Sequence, residues 1–400
     1  MKRQIIPYAR QSIDASDIRA VTRVLKSDFL TQGPEIKAFE QDFAKFCGAK
    51  YAVACSSATA GLHLAAMVLG MGPGDVWWTS PNTFCATADA ALRCGARVDF
   101  IDIEWGTYNM DLALLEDRLK QASRKNRLPK VVAPVHFAGN PVDMEFLNRL
   151  RKRYGFKVVE DAAHATGAEL RGEKVGSCKW SDLCVFSFHA VKIITTGEGG
   201  IITTNSSSLY EKLCRLRTHG ISRDPRYRQS DRRQPWYYEK LELGNHYRMT
   251  DIQAALGRSQ LKKIKAFQKK REKLAALYTK WLSPLDLDLP RQTAGARSSW
   301  HLYPVCIRGN ESLRNRLMGR LRRAGVLANL HYLSVPQFQF YQRNLRKTFL
   351  PCPLAEKFAQ REISLPIYPM MRHNAALRAI RELRKALKRT SAQRPKLLLQ

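Results

Sequence analysis

Lys192 is the most informative residue of the chain because of the side chains around it. The hydroxyl of Ser187 lies five residues before it, in Ser187-Phe188-His189-Ala190-Val191-Lys192, and the turn Thr195-Thr196-Gly197-Glu198-Gly199-Gly200 follows. Upstream, the apolar run Val158-Val159 leads into Glu160-Asp161-Ala162-Ala163-His164. A lysine before a glycine-rich turn is uninformative alone. A lysine with a strand-end carboxylate, a hydroxyl and a Gly-Glu-Gly-Gly turn describes a pocket for pyridoxal phosphate, whose aldehyde a lysine amine can hold covalently.

Each neighbour has two readings. Asp161 closes an apolar strand, where an unpaired carboxylate is costly. A protonated pyridinium nitrogen removes that cost and keeps the ring an electron sink; otherwise Asp161 caps a following helix. His164 either meets the cofactor's phenolic oxygen or is a satisfied core histidine. Ser57-Ala58-Thr59 lies where a strand meets a helix, so its N–H groups and hydroxyls suit a phosphate, although Ser and Thr are also common caps. Ser187 can add a further phosphate hydroxyl. Phe84 either stacks on the pyridine ring or packs in the core. No metal-ligand pattern is present.

These side chains need strands and helices to hold them. Asp14 or Ser16 can cap a helix whose apolar face is Ile18, Val21, Val24 and Leu25. The next helix uses Ile36, Phe39, Phe43 and Phe46, and Gly48 can end it. Tyr51–Cys55 reads as a buried strand running into a helix with Leu62, Ala65, Ala66 and Leu69. Further strands are expected near 97–103, 130–137, 157–161, 183–188 and 199–204. Strands alternating with helices predict an α/β fold with a mainly parallel, covered sheet. Residues 1–255 are expected to form a large domain and 256–384 a smaller one. Residues 385–400 are expected to be a basic, mobile tail.

Composition bounds the rest. The 400 residues are 44% hydrophobic and 26% charged, ordinary for a soluble globular protein. Neither a signal peptide nor a transmembrane segment is expected. Nine dispersed cysteines fit reduced thiols in a cytoplasm. The net charge of +32 is spread along the chain, with two local concentrations in residues 215–235 and 371–400, neither showing a nucleic-acid-binding signature. A basic surface is the simplest reading, with a share for attracting an anionic substrate.

From about Ile6 to about Leu383 the chain resembles the DegT-type nucleotide-sugar aminotransferases, a fold-type I pyridoxal phosphate family. The motifs carrying this are Glu160-Asp161-Ala162-Ala163-His164-Ala165, Phe186-Ser187-Phe188-His189 with Lys192, Thr196-Gly197-Glu198-Gly199-Gly200, and Tyr247-Arg248-Met249-Thr250-Asp251-Ile252-Gln253. The resemblance implies a mixed, mainly parallel sheet covered by helices, with a smaller α/β C-terminal domain. It implies that Lys192 bonds the cofactor and shuttles a proton, and that Asp161 pairs with the ring nitrogen. His164 meets the phenolic oxygen, Phe84 stacks, and Ala58, Thr59 and Ser187 hold the phosphate. Members with histidine at the lysine position are dehydratases, so lysine favours transamination here.

Ser27-Asp28-Phe29-Leu30-Thr31-Gln32-Gly33-Pro34, Trp78-Thr79-Ser80-Pro81-Asn82-Thr83-Phe84, Pro235-Trp236-Tyr237-Tyr238-Glu239 and Glu362-Ile363-Ser364-Leu365-Pro366 resemble the family's pseudaminic-acid branch. That branch moves the amino group of L-glutamate to C4 of UDP-4-keto-6-deoxy-N-acetyl-β-L-altrosamine. The resemblance puts Tyr8, Asp28, Phe29, Leu30, Thr31, Gln337, Phe338 and Gln339 near the UDP-sugar. It also implies a cytoplasmic homodimer with active sites at the interface, and no nucleic-acid or membrane partner. The alternatives are another keto nucleotide sugar, GDP- or dTDP-linked, and a non-catalytic basic binding protein keeping the old fold.

Three departures stand out. In Gly244-Asn245-His246-Tyr247-Arg248, His246 holds the place of the family's cross-subunit phosphate Asn, and Asn245 lies one before. Ser334 replaces a proline expected after His331-Tyr332. The arginine-rich stretch Asp224–Gln234 is either a cover for the site or simply solvated.

Overall fold

A computed structural model describes residues 4–227, 234–345 and 349–391. Seven strands form the main sheet: β1 Tyr51–Cys55, β2 Val76–Thr79, β3 Arg97–Phe100, β4 Val131–Ala133, β5 Lys157–Asp161, β6 Leu183–Ser187 and β7 Gly200–Thr204. Their order is β1-β7-β6-β5-β4-β2-β3. β7 runs antiparallel to β1 and β6, and the other pairings are parallel. The sheet is therefore mixed and mainly parallel, as expected.

The inner strands are largely buried on both faces because both are covered, whereas the edge strand β3 alternates Arg97 and Asp99 with the buried Val98 and Phe100. Val53 and Cys55 of β1 face a core that includes helix α3 (Ala58–Val68) and α4 (Ala86–Arg93), whereas Ala52 and Ala54 face another built with α2 (Pro34–Cys47). Trp78, Val132 and Val158 pack with α5 (Leu112–Arg124) and α6 (Met144–Tyr154). Another helix, α7 (Ser207–Leu216), adds Leu213 and Leu216 to the first core.

The first helix, α1 (Ala15–Leu25), starts at Asp14, whose side chain accepts from the Ser16 and Asp17 amides. Of its expected apolar face, Val24 is buried and Val21 partly buried. Ile18 and Leu25 are 61% and 56% exposed, while Asp17 is buried. Asp17 turns inward because Gln260 and Lys263 both donate to its Oδ2, at 2.8 and 2.5 Å. Those partners lie at the end of α8 (Asp251–Leu261) and just before α9 (Ile264–Leu282). Gly48, in the left-handed region, ends α2 as expected.

A second core lies in the C-terminal part. Its sheet has the order β8 (Leu287–Asp288), β9 (Tyr303–Ile307) and β10 (Glu362–Leu365). The helices that follow β9 are α10 (Glu311–Arg323), α11 (Gln339–Leu345), α12 (Pro353–Arg361) and α13 (His373–Ser391). Ile264 and Phe267 at the start of α9 join the core of α2, while Leu274, Tyr278 and Leu282 join this second core. One helix thus spans both, and Ile6 bridges to Val326 beside the small sheet. Residues 385–391, assigned to a mobile tail, are helical, with Ala386 buried in this core. Residues 392–400 of that tail, and 228–233 of the arginine-rich stretch, lie outside the described residues. Among the described residues, no helix is long and apolar enough to cross a membrane.

Candidate active site

Three strand ends meet at one edge of the sheet. Cys55 and Ser187 both pair with Gly200, and Asp161 pairs with Val185. This is the carboxyl edge of the parallel strands, where open α/β sheets bind ligands. A Cβ on Gly200 would lie 2.6 Å from the Ser57 carbonyl and 2.7 Å from the Ala58 nitrogen. Glycine there lets the start of β7 slide under the first turn of α3. Ser57 caps that helix by accepting from Ala60 N at 3.1 Å.

The edge opens into a cavity of about 430 Å³. Its wall contains Lys192, Asp161, His164, Ser187, Ala58, Thr59, Phe84 and Tyr8, all expected at the site. Thr87, His301, His331 and Tyr332, none of them in the expected set, line it too. Thr87 shows in sequence only as one helical turn beyond Thr83; nothing around His301 signals it.

Asp161 does not cap a helix, because a turn follows β5. Its Oδ1 accepts from Ala163 N at 3.0 Å and its Oδ2 from Thr87 Oγ1 at 2.5 Å. Thr83 Oγ1 lies 2.8 Å from Thr87 Oγ1 and extends the chain. Phe84 is 59% exposed at the cavity wall, so it is not a core residue. His164 is buried, with Nε2 3.0 Å from the Tyr332 hydroxyl, while Nδ1 has no protein partner.

The cavity's electrostatics favour neutral bases. Burial pulls the Lys192 amine down to about 8, against the pull of Asp161 in the other direction. Burial, then the charge of Lys192, holds His331 down to about 3. His164 and His301 also lie well below the usual imidazole range, first through burial and then through neighbouring cations. At neutral pH these three imidazoles carry no charge. Among the described residues, no cluster of His, Cys, Asp and Glu could hold a metal ion.

Other expected residues lie outside this wall. Asp28, Phe29, Leu30 and Thr31 are exposed on the loop after α1, and Gln337, Phe338 and Gln339 are exposed before and at the start of α11. Asn245 donates to Met67 Sδ at 3.3 Å, and His246 is exposed and stacks on His219. Neither reaches its own chain's cavity.

Residues 11–384 match the DegT/DnrJ/EryC1/StrS aminotransferase family. The chain is 37% identical, over 92% of its length and 93% of the other's, to the UDP-4-amino-4,6-dideoxy-N-acetyl-β-L-altrosamine transaminase of Campylobacter jejuni. Among solved structures it is similar to Helicobacter pylori PseC, an aminotransferase of pseudaminic acid biosynthesis, with a TM-score of 0.86 and 31% identity. That match covers 96% of this chain and 100% of the other. It is also similar to Spr1654 of Streptococcus pneumoniae in its PLP-form, with a TM-score of 0.85 and 27% identity over 96% and 99% of the two chains.

Proposed function

Since the chain belongs to the DegT/DnrJ/EryC1/StrS aminotransferase family, we propose that it transfers the amino group of L-glutamate to C4 of UDP-4-keto-6-deoxy-N-acetyl-β-L-altrosamine, with pyridoxal phosphate as cofactor. One observation carries the reading: a desolvated lysine and a hydrogen-bonded aspartate share one cavity with the first turn of a helix. Those groups match the aldehyde, ring nitrogen and phosphate of that cofactor. The buried, unpartnered Nδ1 of His164 adds a polar atom with no protein use.

Bound there, pyridoxal phosphate supplies an aldehyde for amines and a ring that draws electrons from the amine-bearing carbon. The protein holds and protonates. Asp161, oriented by Thr87 and Ala163 N, keeps the ring nitrogen cationic. The α3 N-terminus at Ala58 and Thr59, with the Ser187 hydroxyl, holds the phosphate dianion. Phe84 covers a ring face. Lys192 moves the proton at the reacting carbon, which requires a neutral amine. With its pKa at about 8, roughly a tenth is neutral at pH 7. Glutamate and the keto-sugar use the same cavity in turn, so the two half-reactions alternate.

Two relatives support the acceptor: one is named as the transaminase of the corresponding 4-amino sugar, and the other as an aminotransferase of pseudaminic acid biosynthesis. Residues 28–31 and 337–339 then serve the nucleotide end, in a homodimer. The test begins with the visible spectrum of protein loaded with pyridoxal phosphate. L-Glutamate should bleach its band, and the bleached protein should aminate the UDP-keto-sugar but not GDP- or dTDP-linked analogues. Lys192→Ala should lose turnover. Normal turnover by that variant would overturn the assignment, and preference for another nucleotide would overturn the acceptor alone.

A further inference from the structure

Behind the cavity wall, β10 carries two buried polar side chains that the reaction above leaves unused. Glu362 and Ser364 are two residues apart, so both point to one face of the strand. Both are completely buried. Glu362 Oε2 accepts from the backbone N–H of His331 at 2.9 Å, and its Oε1 lies 2.5 Å from Ser364 Oγ. Ser364 Oγ lies 2.9 Å from His331 Nδ1. The chain Glu362–Ser364–His331 therefore runs from the C-terminal core to an imidazole in the wall that also holds Lys192. The backbones of Asn329 and Ser364 hydrogen-bond each other, at 2.8 and 3.1 Å, and fix the spacing.

We propose that Glu362 and Ser364 are positioning residues that select which ring nitrogen of His331 carries the proton, and so whether its Nε2 is a donor or an acceptor. The hydroxyl of Ser364 can donate only one way. With Glu362 ionised, Ser364 O–H donates to Oε1 and accepts Nδ1–H from His331, leaving Nε2 as an acceptor. With Glu362 protonated, Oε1–H donates to Ser364 Oγ, and Ser364 O–H donates to Nδ1. The ring proton then sits on Nε2. One proton is taken up at Glu362, and His331 stays neutral in both states.

The charges around this chain let it switch in the working range. Burial pushes Glu362 up to about 8; Ser364, the His331 N–H and Arg314 pull it back. Cys306, Tyr108 and Tyr332 also feel its charge, and burial holds all three above their usual values. His331 itself, at about 3, does not titrate there. The consequence for amine transfer rests on the function proposed above; the hydrogen-bond relay does not.

The full cofactor-free chain, labelled with ¹⁵N-histidine, tests this by imidazole NMR. The His331 signals are those lost in His331→Gln. In the unmodified protein, Nε2 should be pyrrole-like below pH 8 and pyridine-like above it. Glu362→Gln should abolish that response, and Ser364→Ala should leave a pH-independent tautomer mixture. A single tautomer at all pH values, or an unchanged response in Glu362→Gln, overturns the proposal. The unmodified protein decides the question alone if a variant fails to fold. No cofactor or substrate is present, so failure here is distinct from a failed aminotransferase assay.

Discussion

Thr87 gives Asp161 a hydrogen bond at 2.5 Å that the strand itself does not supply. A hydrogen bond to a charged group contributes about 1.5–3 kcal/mol. If Asp161 holds the ring nitrogen, Thr87→Val should weaken pyridoxal phosphate binding by about tenfold or more, read by absorbance titration. Unchanged affinity would detach Thr87 from the cofactor. Lys192 makes a second prediction, on the cofactor-free protein. Its amine lies at about 8 when folded and at the ordinary 10.5 when unfolded. Below pH 8 both states bind the proton, and the folded state bears the cost of burying it. Between 8 and 10.5 only the unfolded state binds it, so stability rises with pH there, by up to about 3 kcal/mol. Lys192→Met should therefore be more stable than the unmodified protein at pH 7 in urea, with the difference vanishing as pH rises through that window. Equal stability at both ends would mean that the amine is not desolvated.

At the scale of elements, Gly200 couples the sheet to α3. Its would-be Cβ meets backbone atoms of Ser57 and Ala58, which cannot move without shifting the helix. Gly200→Ala should cost about 1–3 kcal/mol in urea denaturation and also weaken cofactor binding. Gly72→Ala, with nothing within 4 Å, is the control and should change neither. The elements also show what a sequence can reveal. Strands β5 and β6 were legible because they are apolar runs that end in polar site residues. β2 was not: Val76-Trp77-Trp78-Thr79 is short, has no alternation and follows two glycines. The α1 face was legible only in part: Val24 is buried, but periodicity sees Ile18 and Leu25 and not the Lys263 that draws Asp17 inward. Lys192, Asp161 and Ser187 were legible because one motif holds each. Thr87, His301 and the partners behind His331 were not, since each comes from a distant segment and acquires meaning only by packing.

For the whole molecule, one chain assembles the cofactor side of the cavity and leaves residues 28–31 outside it. Phe29 and Leu30 of this loop are half exposed, as are Ile18 and Leu25 of α1. The function proposed above puts this loop at the nucleotide end of a site in a homodimer. In a two-fold dimer the loop of one subunit can then serve the cavity of the other. This makes a test that separates action across the interface from action within the chain. The double variant Asp28→Ala/Thr31→Ala keeps Lys192, and Lys192→Ala keeps the loop; each alone should be nearly inactive. Co-expressed, half of the dimers are mixed, and in a mixed dimer one of two sites joins an intact lysine to an intact loop. Activity should return to about a quarter of that of the unmodified protein. If the loop served its own chain's cavity, every site would still lack one component. No activity would then return, however well the two variants paired.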